Sequence, residues 1–177
     1  MRLKIDSLLT AFLISFLWIS FAHAQSPMKS ATPEDLIEKL NPNSNSNSAP
    51  MRTRGMRNLT PEAREKPNVD LMIQFEFDSA KLLPESKPLL DNLAKAINSD
   101  PLRGYAFVVE GHTDAVGTTQ YNLKLSDQRA STVLNYLSSK GVSKERLKAI
   151  GKGSNELLQP DKPDASENRR VKITLNS

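Results

Sequence analysis

The chain has 177 residues, of which 38% are hydrophobic and 25% charged, enough for one ordinary domain with extensions and too apolar for a disordered chain. Its formal charge of +4 loses two positives and one negative, and falls to +3, when Arg2, Lys4 and Asp6 are set aside; that excess is too small for a nucleic-acid-binding face. There is no cysteine, which excludes disulfides, a thiol nucleophile and a lipid-carrying cysteine.

Residues 1–24 read as an export signal. Arg2 and Lys4 make the positive start, Leu8 to Phe21 the apolar stretch, and Ala22-His23-Ala24 the small-x-small cleavage pattern, with cleavage expected before Gln25. The alternative is an uncleaved N-terminal membrane anchor. Leu8 to Phe21 falls short of the ~20 residues that span a bilayer, and only an extension from Ile5 to Ala24 would reach.

Residues 25–67 read as a flexible leader holding one short helix. Thr32-Pro33-Glu34-Asp35 supplies a hydroxyl cap, a proline at the first helical position and acids at the positive end of the helix dipole. The helix it opens, Glu34 to Leu40, is too short to stand alone. Asn41 to Pro50 is an Asn/Ser/Pro run with nothing to bury. Arg52, Arg54 and Arg57, interleaved with Met51, Met56 and Leu59, could touch anionic headgroups or a partner protein. The plainer expectation is a solvated linker edge lying loosely on the domain.

The folded domain is expected at 68–177. Val69, Leu71, Ile73, Phe75 and Phe77 alternate with polar neighbours and predict a strand with one buried face. Leu89, Leu90, Leu93, Ala94 and Ile97 have helical spacing and predict a helix over Glu85–Asn98. Pro88 means that this helix begins late, with Ser86 as cap, or bends. Tyr105–Gly111 is a second strand, and Leu123, Ala130, Leu134 and Leu137 mark the core stripe of a second helix ending at Lys140-Gly141. A short helical turn at Ser143–Arg146, a strand at Leu147–Gly151, a loop to Asn168 and a closing strand at Val171–Leu175 complete the chain. The fold expected is an α/β (α+β) two-layer sandwich, a small mixed sheet with helices on one face in the order β-α-β-α-β-β.

Between the second strand and the second helix lies V-V-E-G-H-T-D-A-V-G, with Gly111 and Gly117 punctuating a turn that carries Asp114. On the helix, Asn122, Leu125 and Arg129 fall within roughly 60° of one another, about a quarter turn from the core stripe. An acid and a guanidinium at one opening suit a zwitterion. Singly, an Asp in such a turn is ordinarily a turn-former and an Arg on a helix a solvated charge. Asp78 and Ser79, at the end of the first strand, form a turn or line a site.

Evidence of catalysis is thin. The mature chain has one histidine, His112, and no Gly-x-Ser-x-Gly element, and sugar hydrolysis would need two acids, such as Asp78 and Asp114, held across a cleft. Gly151-Lys152-Gly153-Ser154 lacks phosphate-loop spacing, and without cysteine a structural zinc site is excluded in practice. The expectation is a protein that is not an enzyme and needs no cofactor or metal.

F-E-F-D-S-A at 75–80, V-E-G-H-T-D-A-V-G at 109–117, Y-N-L-K-L-S-D-Q-R-A at 121–130 and N-R-R-V at 168–171 together resemble the OmpA-like C-terminal domain, a peptidoglycan-binding module, over about 69–176. The resemblance implies non-catalytic binding of peptidoglycan of the meso-diaminopimelate type, in the periplasm. Asp114 would take the ammonium of the diaminopimelate and Arg129 its carboxylate. Phe77, Asp78 and Ser79 would line the pocket, with Thr113, Asn122 and Leu125 as its other walls, and Asn168 and Arg169 would stand near it or serve structure. The barrel and the lipidated cysteine of familiar members have no counterpart here, so a membrane tether is not implied. The alternative role is a periplasmic adaptor whose leader, residues 30–59, recruits an envelope protein while the domain docks on the wall.

Overall fold

The computed structural model describes residues 26–44 and 66–176. The export signal, the basic-apolar patch at 51–59 and most of the Asn/Ser run lie outside the described residues. Helix α1 spans Pro33–Leu40, strand β1 Asn68–Leu71, helix α2 Lys87–Asn98, strand β2 Ala106–His112, helix α3 Thr119–Ser139, strand β3 Leu147–Gly153 and strand β4 Val171–Asn176. The sheet order is β1-β4-β2-β3, with β4 antiparallel to both neighbours and β2 parallel to β3. From β1 onward the helices and strands follow the expected β-α-β-α-β-β order.

Alternation along the central strands makes the two layers. Phe107 and Val109 of β2 and Val171, Ile173 and Leu175 of β4 are buried, and the residues between them are half-exposed or exposed. The buried faces join Leu90, Leu93 and Ile97 of α2 and Ala130, Val133 and Leu137 of α3 in one core.

Two elements, the first strand and α3, differ from expectation, and α2 takes one of its two expected forms. The first strand stops at Leu71 instead of running to Phe77. Residues 74–83 form an irregular hairpin with Phe75 bridged to Leu82, and Phe77 at its tip is 100% exposed. Helix α2 begins late, behind a 3-10 turn at Pro84–Ser86, so Pro88 sits in the first turn where its missing N–H costs nothing. Ser86 stands at the N-cap position as expected but makes no side-chain cap bond: its hydroxyl accepts from the Gln74 N–H and donates to the Gln74 carbonyl.

The core stripe of α3 is also rotated. Ser126, Ala130, Val133 and Leu137 are buried, Leu134 is half-buried, and Leu123 is exposed. The cause is a backbone-to-backbone approach. A Cβ on Gly111 would lie 2.2 Å from the Ser126 carbonyl oxygen, and one on Gly151 would lie 2.5 Å from the Asp127 nitrogen. The two glycines let α3 sit directly on β2 and β3. Gly111 is thus a strand residue serving the helix contact, and Gly117, with φ +96, is the glycine of the turn.

Helix α1 has a full capping box between Thr32 and Asp35, and its Leu36 and Leu40 are completely buried in the common core. Ahead of it, Met28 pairs with the edge of β1: its N–H donates to the Asp70 carbonyl and its carbonyl accepts from Met72. Asn92 of α2 donates to the Ala31 carbonyl. The short helix is therefore held by the domain. Among the described residues, no helix is long and apolar enough to cross a membrane.

A candidate binding groove

The groove opens where β2 ends and α3 begins. The turn between them is rigidly tied. Asp114 Oδ1 accepts from the Val116 N–H, the Thr118 hydroxyl caps α3 by accepting from Tyr121 N, and Thr113 N–H donates to the Gly153 carbonyl. Asn122 is buried, and its amide donates to the carbonyls of Asp114 and Val116, at 3.3 and 3.0 Å. So Asn122 borders the groove chiefly as a brace for the turn that carries Asp114.

The opposite wall is the 74–83 hairpin. Lys81 pairs with Glu76 at 2.6 Å across it, and the Glu76 N–H donates to the Lys81 carbonyl. Helix α3 grips its tip twice. Arg129 Nε donates to the Ser79 carbonyl at 3.0 Å, and the Tyr121 hydroxyl donates to the Asp78 carboxylate. Asp78 holds a left-handed backbone, φ +52, a region uncommon outside glycine that Asp enters more readily than most residues.

The resulting cavity of about 630 Å³ is lined by Phe77, Asp78, Thr113, Asp114, Asn122, Leu125, Arg129 and Arg169 of the expected residues. Phe75, Glu76, Val116, Gly117 and Tyr121 line it as well. Ser79 contributes through its carbonyl, as anchor for Arg129. Asn168 stands apart. It is wholly buried, accepts from Gln159 N–H and donates to the carbonyls of Lys162 and Pro163, so it shapes the loop before β4. That loop in turn buttresses the site turn, because the Ala115 N–H donates to Pro163.

The charges are unevenly partnered. Asp114 Oδ2 accepts from Arg169 Nη1 at 2.8 Å. Arg129 stacks its guanidinium 5.0 Å from the centre of the Phe75 ring and spends Nε on Ser79, and no carboxylate among the described residues is close enough to form an ion pair with it. Burial lowers the Arg129 pKa from its ordinary value, and the nearby Arg169 adds to this, while Tyr121, Asp114 and Asp78 oppose it. The group stays protonated and lines the groove, and among the described residues neither Nη has a hydrogen-bond partner. The geometry brings one positive fork and two carboxylates, Asp114 and Asp78, to one opening.

Tyr121 and Phe75 escaped the sequence reading. Alternation alone places Phe75 on a strand face, and Tyr121 lies one residue before the Asn122 stripe. Its opening position in the Y-N-L-K-L-S-D-Q-R-A match was the available signal.

The OmpA family model matches residues 74–170. Outer membrane protein A of Bordetella avium is 38% identical over 103 residues, covering 57% of this chain and 52% of that protein. The peptidoglycan-associated lipoprotein of Pseudomonas aeruginosa is 38% identical over 101 residues, covering 56% of this chain and 58% of that protein. The chain thus spans little more than half the length of these two relatives. Among solved structures, the peptidoglycan-associated lipoprotein of Burkholderia pseudomallei superposes with a TM-score of 0.51 at 30% identity, over 59% of this chain and 88% of that one. The OmpA-like domain of FopA1 from Francisella tularensis gives a TM-score of 0.53 at 25% identity, over 62% and 73%.

Proposed function

The chain belongs to the OmpA family, and we propose that its groove binds cell-wall peptidoglycan in the periplasm, without catalysis, by gripping the meso-diaminopimelate residue of the stem peptide. The observation that carries this reading is Arg129. A half-buried guanidinium with an open Nη edge has given up hydration without gaining a carboxylate, and a ligand carboxylate repairs that loss with two parallel hydrogen bonds. Hydrogen bonds to a charged group are each worth about 1.5–3 kcal/mol.

Asp114 supplies the second half of the recognition. Each carboxylate oxygen has two lone-pair directions, so the bonds from Arg169 and Val116 leave acceptor capacity toward the groove. The free end of meso-diaminopimelate carries an ammonium and a carboxylate on one carbon, and it meets both charges at once. Modest affinity per site suffices where the wall presents many copies of the same peptide.

The test is co-sedimentation of the mature protein with purified peptidoglycan sacculi, beside Asp114→Ala and Arg129→Ala. Both variants are expected to stay in the supernatant while their circular dichroism matches wild type. Full pelleting of both would remove the groove as the binding site.

A further inference from the structure

Resting on that reading, the geometry points to Tyr121 as a positioning residue: its hydroxyl holds the Asp78 carboxylate in the groove, where Asp78 takes the ligand's free ammonium alongside Asp114.

The two carboxylates are held differently. Asp114 is bonded to a guanidinium and a backbone N–H, and the Arg169 charge offsets its own. Asp78 has a neutral partner, the Tyr121 hydroxyl, arriving from the opposite wall of the groove. A neutral donor fixes the direction of a carboxylate without cancelling its charge, so of these two carboxylates Asp78 is the one without an ion-pair partner among the described residues. Its field reaches Arg129, as does that of Asp114, which puts both acids around the same cation.

Position also needs an agent. Asp78 sits exposed at a hairpin tip in a left-handed backbone, where the chain alone would let its side chain swing. Tyr121 is fixed in the first turn of α3, its N–H on the Thr118 cap, and its ring forms part of the groove wall. The carboxylate beside it raises the Tyr121 pKa, so the hydroxyl remains a donor through the physiological range.

The experiment measures calorimetric affinity of the full chain for two stem tripeptides. One ends in meso-diaminopimelate. The other ends in 2-aminopimelate, which keeps the far carboxylate and lacks the free ammonium. Tyr121→Phe is expected to weaken the first by about tenfold, the scale of one charge-assisted contact, and to leave the weaker binding of the second unchanged. Asp78→Asn should do the same, and the double variant should lose no more than Asp78→Asn alone. Equal losses for both peptides, wild-type affinity in Tyr121→Phe, or losses that multiply in the double variant would each overturn the inference. Arg129→Ala separates the two levels. If it binds the first peptide like wild type, the proposed function falls and this inference with it; if it abolishes binding while Tyr121→Phe has no effect, only the inference falls.

Discussion

Arg169 donates from Nη1 to Oδ2 of Asp114 at 2.8 Å, so the acid of the site turn stands in the groove as half of an ion pair. The pair joins the turn after β2 to the residue that precedes the buried Arg170, whose Nε donates to Asp70 Oδ1 at 2.6 Å. Neighbouring arginines in the chain thus face different tasks: one sits at the groove, the other is locked to β1.

That contrast fixes the outcome of two substitutions. The Arg169 side chain is 48% exposed and that of Asp114 15%, so the guanidinium keeps much of its hydration and the pair contributes less than a fully buried one. Arg169→Ala is expected to cost no more than about 1 kcal/mol in urea unfolding. Arg170→Ala leaves Asp70 without its buried partner and is expected to cost on the order of 3 kcal/mol. Equal losses would mean that the Asp114 pair is a structural post.

His112 provides a pH test. It is buried, neither ring nitrogen has a hydrogen-bond partner among the described residues, and burial, followed by the charge of Arg170, lowers its pKa to about 3. The folded value lies below the unfolded one of about 6.5, so the unfolded chain takes up the proton first. Stability from this group is fully present above pH ~6.5 and drains away as pH falls toward ~3. The His112 ring resonances in an NMR titration should stay in the neutral form at pH 4.5; a midpoint near 6.5 would contradict the burial.

Leu36 tests the docking of α1. The side chain is wholly buried between α1 and the domain core, so Leu36→Ala is expected to cost about 2–5 kcal/mol in chemical denaturation. A change below about 0.5 kcal/mol would indicate that the helix is free in solution.

Gly111 and Gly151 test the seat of α3. Alanine at either would force backbone apart, since the atoms it meets belong to Ser126, Leu123 and Asp127 main chain. Each substitution is expected to destabilise by about 3 kcal/mol and to weaken sacculus binding, because Tyr121 and Arg129 ride on the displaced helix. Gly104→Ala, which meets nothing within 4 Å, is the control.

Much of the fold was legible because period and punctuation are local. Strand alternation at Val171–Leu175, helical spacing from Leu89 to Ile97 and the Gly141 stop each follow from a few adjacent residues, and each element stands where it was expected. Alternation misled at Phe75 and Phe77. The same apolar-polar rhythm continues past Leu71, but no neighbouring strand extends to pair with it, so the chain turns back as a hairpin.

The helix face misled for a different reason. Leu123 reads as core by hydrophobicity, yet Gly111 and Gly151 let the smaller Ser126 turn inward instead, beside the expected Ala130.

The local chemistry of the chain determined its elements and their order, together with the residue types that gather at the groove, because side-chain spacing and turn preference act within a few residues. Only the packed fold decided which acid would be ion-paired and which would meet a neutral donor, and whether a guanidinium would keep an open edge. Those outcomes depend on desolvation and on partners up to 55 residues distant, as between Asp114 and Arg169, and no local pattern carries that information.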